Sequence, residues 1–115
     1  LIAVAPGDTL QRAYAKMKMF DVSQLPVLEH GKLVGLMDET DILLAVTGNE
    51  KGFAIPVGKV MTDKLITLQA NQPLTDLLAL FARGLVGCVY EGEQFLGLIT
   101  PIDFLNHLRK RTGKG

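Results

Sequence analysis

Apolar residues recur near the start of the chain at a helical interval. Leu10, Ala13, Tyr14, Met17 and Phe20 follow steps of three and four, which places them on one helix face, with Asp8 or Thr9 as the cap. Ahead of this helix, Ile2-Ala3-Val4 reads as a short strand ended by the Pro6-Gly7 turn. Beyond it, Leu25-Pro26-Val27-Leu28 is a brief buried strand, and His30-Gly31 turns the chain into a second strand over residues 32–37. Residues 38–47 then read as a helix with Ile42, Leu43, Leu44 and Val46 inward and Gly48 as its stop. The polar, glycine-bearing stretch 48–56 has no such period. After it comes a short lead-in over 57–61 and a strand over 65–68. A helix capped by Asn71 follows, with Pro73 in its first turn and Leu74, Leu77, Leu78 and Phe81 inward. Strands over 87–90 and 94–99 pair across Glu91-Gly92-Glu93, and a last helix runs from Pro101 to about Arg111.

The order of elements therefore repeats. A shift of 64 pairs Val4 with Leu68, Leu10 with Leu74, Ala13 with Leu77 and Met17 with Phe81. A shift of 62 pairs Val27 with Val89, Glu29 with Glu91, Gly35 with Gly97, Asp41 with Asp103 and Leu43 with Leu105. The change of shift places a two-residue deletion between Ala82 and Val86. The expected organisation is a first repeat over 1–48, a linker over 49–60 and a second repeat over 61–115. Each repeat is β-α-β-β-α, in an α+β, sandwich-like fold. A unit of this size buries its own apolar faces poorly, so the two are expected to pack with pseudo-twofold symmetry.

Composition narrows the functional classes. Twelve basic residues balance twelve acidic ones, which gives no general attraction to nucleic acid or to an anionic membrane. The basic end Arg109-Lys110-Arg111 with Lys114 reads as a solvated helix terminus. Cys88 is the lone cysteine, so an internal disulfide is impossible and a reducing, cytoplasmic setting is expected. Its apolar neighbours Val86, Val89 and Tyr90 make it a buried thiol and not a nucleophile. No apolar run approaches the roughly 20 residues that span a bilayer, and no secretory leader is expected. The chain begins in mid-strand without methionine, as a fragment of something longer would.

One corner carries candidate chemistry. Thr100 follows the strand over 94–99 and can cap the last helix, with Pro101 at its first position and Asp103 in its first turn. A hydroxyl and a carboxylate one turn apart at a helix N-terminus suit a ribose with an anionic arm. The same residues would equally serve as a plain helix cap.

Leu25-Pro26-Val27 before the first hairpin, and Gly97, Thr100 and Asp103 after the second, make the chain resemble a tandem pair of CBS domains, a Bateman module. The lead-in Val60-Met61-Thr62 fits the same pattern. The first repeat keeps Gly35 and Asp41 but has Asp38 where the family has Thr or Ser. Residues 97–109 and 38–46 further resemble the C-terminal regulatory region of bacterial cystathionine β-synthases. That resemblance implies a pyridoxal phosphate-dependent catalytic domain upstream, with no cofactor of its own in these residues. It also implies an adenosine-containing ligand, S-adenosylmethionine or AMP, in a cleft shared by the repeats. The implied contacts are Thr100, Asp103, Leu98 and Ile102 from one repeat and Val4, Val22, Ser23, Gln24 and Leu25 from the other. Asp103 would accept from the ribose hydroxyls, while Val22, Leu25, Leu98 and Ile102 would hold the adenine. The opposite cleft, with Asp38, Asp41, Val86 and Gly87, is expected to be degenerate. A carboxylate at position 38 repels a phosphate, and the deletion shortens the loop before Val86. ATP is the poorest candidate, since neither 20–25 nor 97–103 holds Lys, Arg or His.

The expected partners are this small molecule, the catalytic domain of the same chain and a second copy in a homodimer, with no nucleic acid and no membrane. Exposed apolar helix faces such as Leu77, Leu80 and Phe81 would serve the dimer. The alternatives are a ligand-free dimerisation module, or the regulatory pair of another host such as an IMP dehydrogenase-like enzyme or a transporter. Catalysis by these residues themselves is not expected. His30 and His107 have no nucleophile partner, and no His/Cys/carboxylate set has metal-ligand spacing.

Overall fold

The Thr9 side chain accepts a hydrogen bond from the Arg12 N–H and so starts α1 (Leu10–Phe20); Asp21, in the left-handed region at φ 52°, ends it. The computed structural model describes residues 1–112 and divides the chain into a first unit, Leu1–Leu65, and a second that begins at Ile66. In the first unit β1 (Gln24–Glu29) and β2 (Lys32–Asp38) form an antiparallel hairpin. Its two turn residues, His30 and Gly31, both have positive φ (51° and 78°), the mirror-image turn whose twist matches that of the strands. The expected first strand is reduced to one parallel bridge, Val4 to Val27. α2 (Glu39–Val46) follows directly on β2.

Residues 49–62, expected as linker and lead-in, fold onto the first unit. They form two 3₁₀ turns, Gly52–Ala54 and Val57–Lys59, and Thr62 pairs with Leu36 on the edge of β2. Val57 is fully buried in a core with Val4, Leu10, Ala13, Met17, Leu25, Val27, Met37 and Ile42. The signature glycine of β2 has a local reason. A Cβ on Gly35 would lie 2.5 Å from the Met61 sulfur and 2.9 Å from the Thr62 carbonyl oxygen, so the crossing segment admits no side chain there.

The second unit repeats the plan with a three-stranded sheet in the order β3 (Thr67–Gln69), β4 (Gly87–Glu91), β5 (Gln94–Ile99). β3 runs parallel to β4 through the crossover helix α3 (Leu74–Ala82), and β5 returns antiparallel. α4 (Pro101–Thr112) follows β5. The hairpins of both units are bulged at equivalent places, after Val27 and after Val89. Mixed helices and strands in two β-α-β-β-α-like repeats make this an α+β fold.

Several inward faces differ from expectation. Leu43 and Leu44 are 61% and 75% exposed, and only Ile42 of α2 is buried. The run 42–46 is apolar all round, so its period could not orient it; an eight-residue helix seats a single stripe, here Ile42 with the half-buried Ala45 and Val46. In α3, Leu80 is buried and Leu78 exposed, the reverse of their expected roles. The inward stripe is Leu77, Leu80 and Phe81, and the Phe81 ring meets Phe104 of α4 at 5.9 Å. Asn71 does not cap α3: Pro73 holds the N-cap position, with no side chain capping the helix. The two-residue deletion shortens the helix and not the loop after it, for α3 has nine residues against eleven in α1.

Candidate functional site

Thr100 joins β5 to α4, and its carbonyl oxygen accepts the first helical hydrogen bond, from the Phe104 N–H at 3.1 Å. The Thr100 N–H and hydroxyl both donate to the same oxygen, Oδ2 of Asp103, at 2.9 Å each. Asp103 therefore reaches back over the corner while its side chain stays exposed, and Oδ1 has no partner among the described residues. The threonine hydroxyl thus acts here as a donor to the carboxylate.

The equivalent corner of the first unit is closed on itself. The Asp38 N–H donates to Asp41 Oδ2 at 2.9 Å, and the Asp41 N–H donates to Asp38 Oδ1 at 2.8 Å, a reciprocal capping box. Burial pushes the Asp41 carboxyl above its ordinary value of 3.8; the Asp38 N–H opposes this, and the negative charge of Asp38 adds to it. The two corners share a backbone plan but differ in what they offer. One presents an exposed carboxylate that accepts from a hydroxyl, and the other two carboxylates that each accept the other residue's backbone N–H at a single helix terminus.

The remaining expected contacts fall within their own units as follows. Val22 is half-buried and Ser23 exposed; the Ser23 carbonyl accepts from the Glu39 N–H at 3.3 Å, and Gln24 pairs with Asp38 across the hairpin. The loop 22–25 thus lies beside the Asp38–Asp41 corner of its own unit. Leu25 and Val4 are buried, at 0% and 3% exposure, because the sheet turns both into the core. The Leu25 side chain thus belongs to the core of the first unit. Gln24 Oε1 is buried without a hydrogen-bond partner, a feature no sequence pattern signals. In the second unit Leu98 is half-buried and Ile102 is 61% exposed. Val86 is half-buried, and Gly87 is buried opposite Ile99.

Each unit also carries a concave surface. That of the first, about 600 Å³, lies between α1, α2 and the 3₁₀ turn at Phe53, with Lys18, Asp21 and Glu39 as its charged lining and Val22 and Ser23 at its wall. That of the second, about 240 Å³, is lined mainly by apolar side chains under α3 and α4. Thr100 and Asp103 do not line it. Cys88 is fully buried, and burial raises its thiol pKa, which disfavours the thiolate a nucleophile needs. Among the described residues no cluster of His, Cys, Asp and Glu could hold a metal ion, and no helix is long and apolar enough to cross a membrane.

The CBS domain family matches residues 1–48 and 57–110. The chain is 35% identical over 80 residues to the CBS domain-containing protein YhcV of Bacillus subtilis, across 70% of this chain and 57% of that one. It is 28% identical over 106 residues to an inosine-5'-monophosphate dehydrogenase of Korarchaeum cryptofilum, across 90% of this chain and 21% of the enzyme. Among solved structures, a CBS-domain-containing protein of Agrobacterium tumefaciens superposes with a TM-score of 0.84 at 20% identity, across 94% of this chain and 89% of that one. The chain thus spans between about a fifth and somewhat over half of these curated relatives. Two family matches, one on each β-α-β-β-α half, show that the chain belongs to the CBS domain family as a tandem pair.

Proposed function

We propose that this CBS pair is a non-catalytic regulatory module that binds one adenosine-containing ligand, with Thr100 and Asp103 as its principal polar contacts. The observation that carries this reading is the difference between the two corners. Asp103 is exposed and its Oδ1 has no partner among the described residues, so this carboxylate can accept from ribose hydroxyls. Asp41 offers less, because its Oδ2 is held by the Asp38 N–H and its carboxyl is half-buried beside the negative charge of Asp38.

The orientation of Thr100 favours S-adenosylmethionine over AMP. Its hydroxyl proton faces Asp103, so lone pairs point outward, and these suit an ammonium donor better than a phosphate. Ligand binding would act on the host as a population shift, favouring one arrangement of the module over another. For the host, residues 97–109 and 38–46 support a cystathionine β-synthase, whose pyridoxal phosphate would belong to its own catalytic domain. The match to an IMP dehydrogenase over 90% of the chain supports a second host class. Homodimerisation is proposed through exposed apolar helix faces; Leu80, being buried, is not among them.

The test is thermal denaturation with S-adenosylmethionine, AMP and ATP. A ligand at about a hundredfold over its Kd stabilises the chain by about 2.7 kcal/mol, a rise of several degrees. We expect the largest rise with S-adenosylmethionine and the smallest with ATP, and a calorimetric stoichiometry of one. No rise with any of them would leave the ligand-free dimerisation module as the better account.

A further inference from the structure

The first unit ends on a single bridge. The Leu36 N–H donates to the Thr62 carbonyl and the Thr62 N–H to the Leu36 carbonyl, each at 2.9 Å, with no longer ladder on that edge of β2. Asp63, Lys64 and Leu65 then lead to the second unit, which begins at Ile66. The side chain beside this bridge is Met61, half-buried and packed against the first unit's core. Its sulfur lies so close over β2 that a Cβ on Gly35 would be 2.5 Å from it. The four methionines of the chain differ in kind. Met17 and Met37 are buried, at 6% and 0% exposure, and Met19 is 76% exposed. Met61 combines access to solvent with a seat that the fold depends on.

We propose that Met61 is an oxidation-sensitive latch on this bridge, with hydrogen peroxide as the oxidant. The peroxide O–O bond breaks and one oxygen bonds to the thioether sulfur. Sulfur gives up two electrons, and the rest of the peroxide leaves as water. The product is a sulfoxide, polar where the thioether was apolar. Its oxygen has no room towards Gly35, and on the apolar core it would be buried without a donor. The sulfoxide therefore turns out to water and draws Met61 and Thr62 off the edge of β2. The unpaired connection between the units then grows from residues 63–65 to residues 61–65, so the redox state of one side chain sets the length of the tether. The corner at Thr100 and Asp103 plays no part in this, and the two proposals stand or fall independently.

The test follows amide hydrogen exchange of the folded chain by NMR before and after mild hydrogen peroxide, with oxidation at each methionine read by mass spectrometry. Met61 is expected to oxidise after Met19 and well before Met17 and Met37. The Leu36 and Thr62 amides should then exchange at least about tenfold faster. Methionine sulfoxide reductase should restore their protection. Met61→Leu, which nearly conserves volume, should keep both amides protected in peroxide, and Met19→Leu should leave the response unchanged. Met61→Gln should expose both amides with no peroxide present. A folded chain that oxidises Met19 but not Met61 would overturn the proposal. So would full protection of both amides after Met61 is oxidised. The same loss of protection in Met61→Leu would overturn it as well, since the effect would then lie at another residue.

Discussion

Asp41 and Asp103 occupy the same place in the two repeats, yet their surroundings give them different chemistry. Asp103 accepts the Thr100 N–H and hydroxyl on an exposed carboxylate, whereas Asp41 is half-buried in a capping box with Asp38. Replacing Asp103 by Ala should abolish calorimetrically detected binding of the adenosine ligand with the fold intact, and Asp41→Ala should change binding little while lowering stability by about 1 kcal/mol through the lost cap. The reverse order of binding effects would assign the ligand to the other corner. Asp41 should also mark itself in the pH dependence of stability. Its folded pKa is raised above 3.8, so between that value and the folded one the native state binds more protons than the unfolded chain. The contribution of this group is thus fully present below 3.8 and is lost as pH rises through the folded pKa. In urea unfolding, the stability advantage of the wild type over Asp41→Asn should be smaller at about pH 6 than at about pH 3.

At the scale of elements, the segment between the repeats is a structural part of the first unit. Gly52 is buried against α2, where an added Cβ would lie 2.6 Å from the Val46 Cα and 2.8 Å from the Ala45 carbonyl oxygen. Both are backbone atoms, so relief requires α2 or the 3₁₀ turn to move. Gly52→Ala should therefore cost about 1–3 kcal/mol, read from the urea midpoint. Gly7→Ala is the control, since nothing lies within 4 Å of its Cβ, and it should be near neutral. The helices divide differently from their apolar content. α2 leaves Leu43 and Leu44 to solvent, and α4 leaves Ile102 and Leu105, at 61% and 58% exposure, while Phe104 is buried. These residues contribute little to the core of either unit and are the better candidates for a homodimer face.

For the whole molecule, that division yields a further expectation. Leu44→Glu together with Leu105→Glu should shift the chain from dimer to monomer in sedimentation velocity with little loss of thermal stability, since both side chains are exposed. A dimer that persists would move the interface elsewhere. The pattern of apolar residues, the turn at His30-Gly31 and the paired shifts of 64 and 62 were enough to establish two α+β repeats and to bring Thr100 and Asp103 into view, because local periodicity and turn chemistry depend on near neighbours in sequence. Three other features depended on tertiary structure. Which of Leu77, Leu78, Leu80 and Phe81 faces inward was settled by the sheet the helix packs on, since a helix apolar on most sides has no preferred face of its own. That residues 49–62 belong to the first unit was settled by the Val57 side chain and the pairing of Thr62 with Leu36, contacts made across long stretches of chain. Whether each aspartate is open or closed was settled by hydrogen bonds and burial, which residue type and spacing leave free.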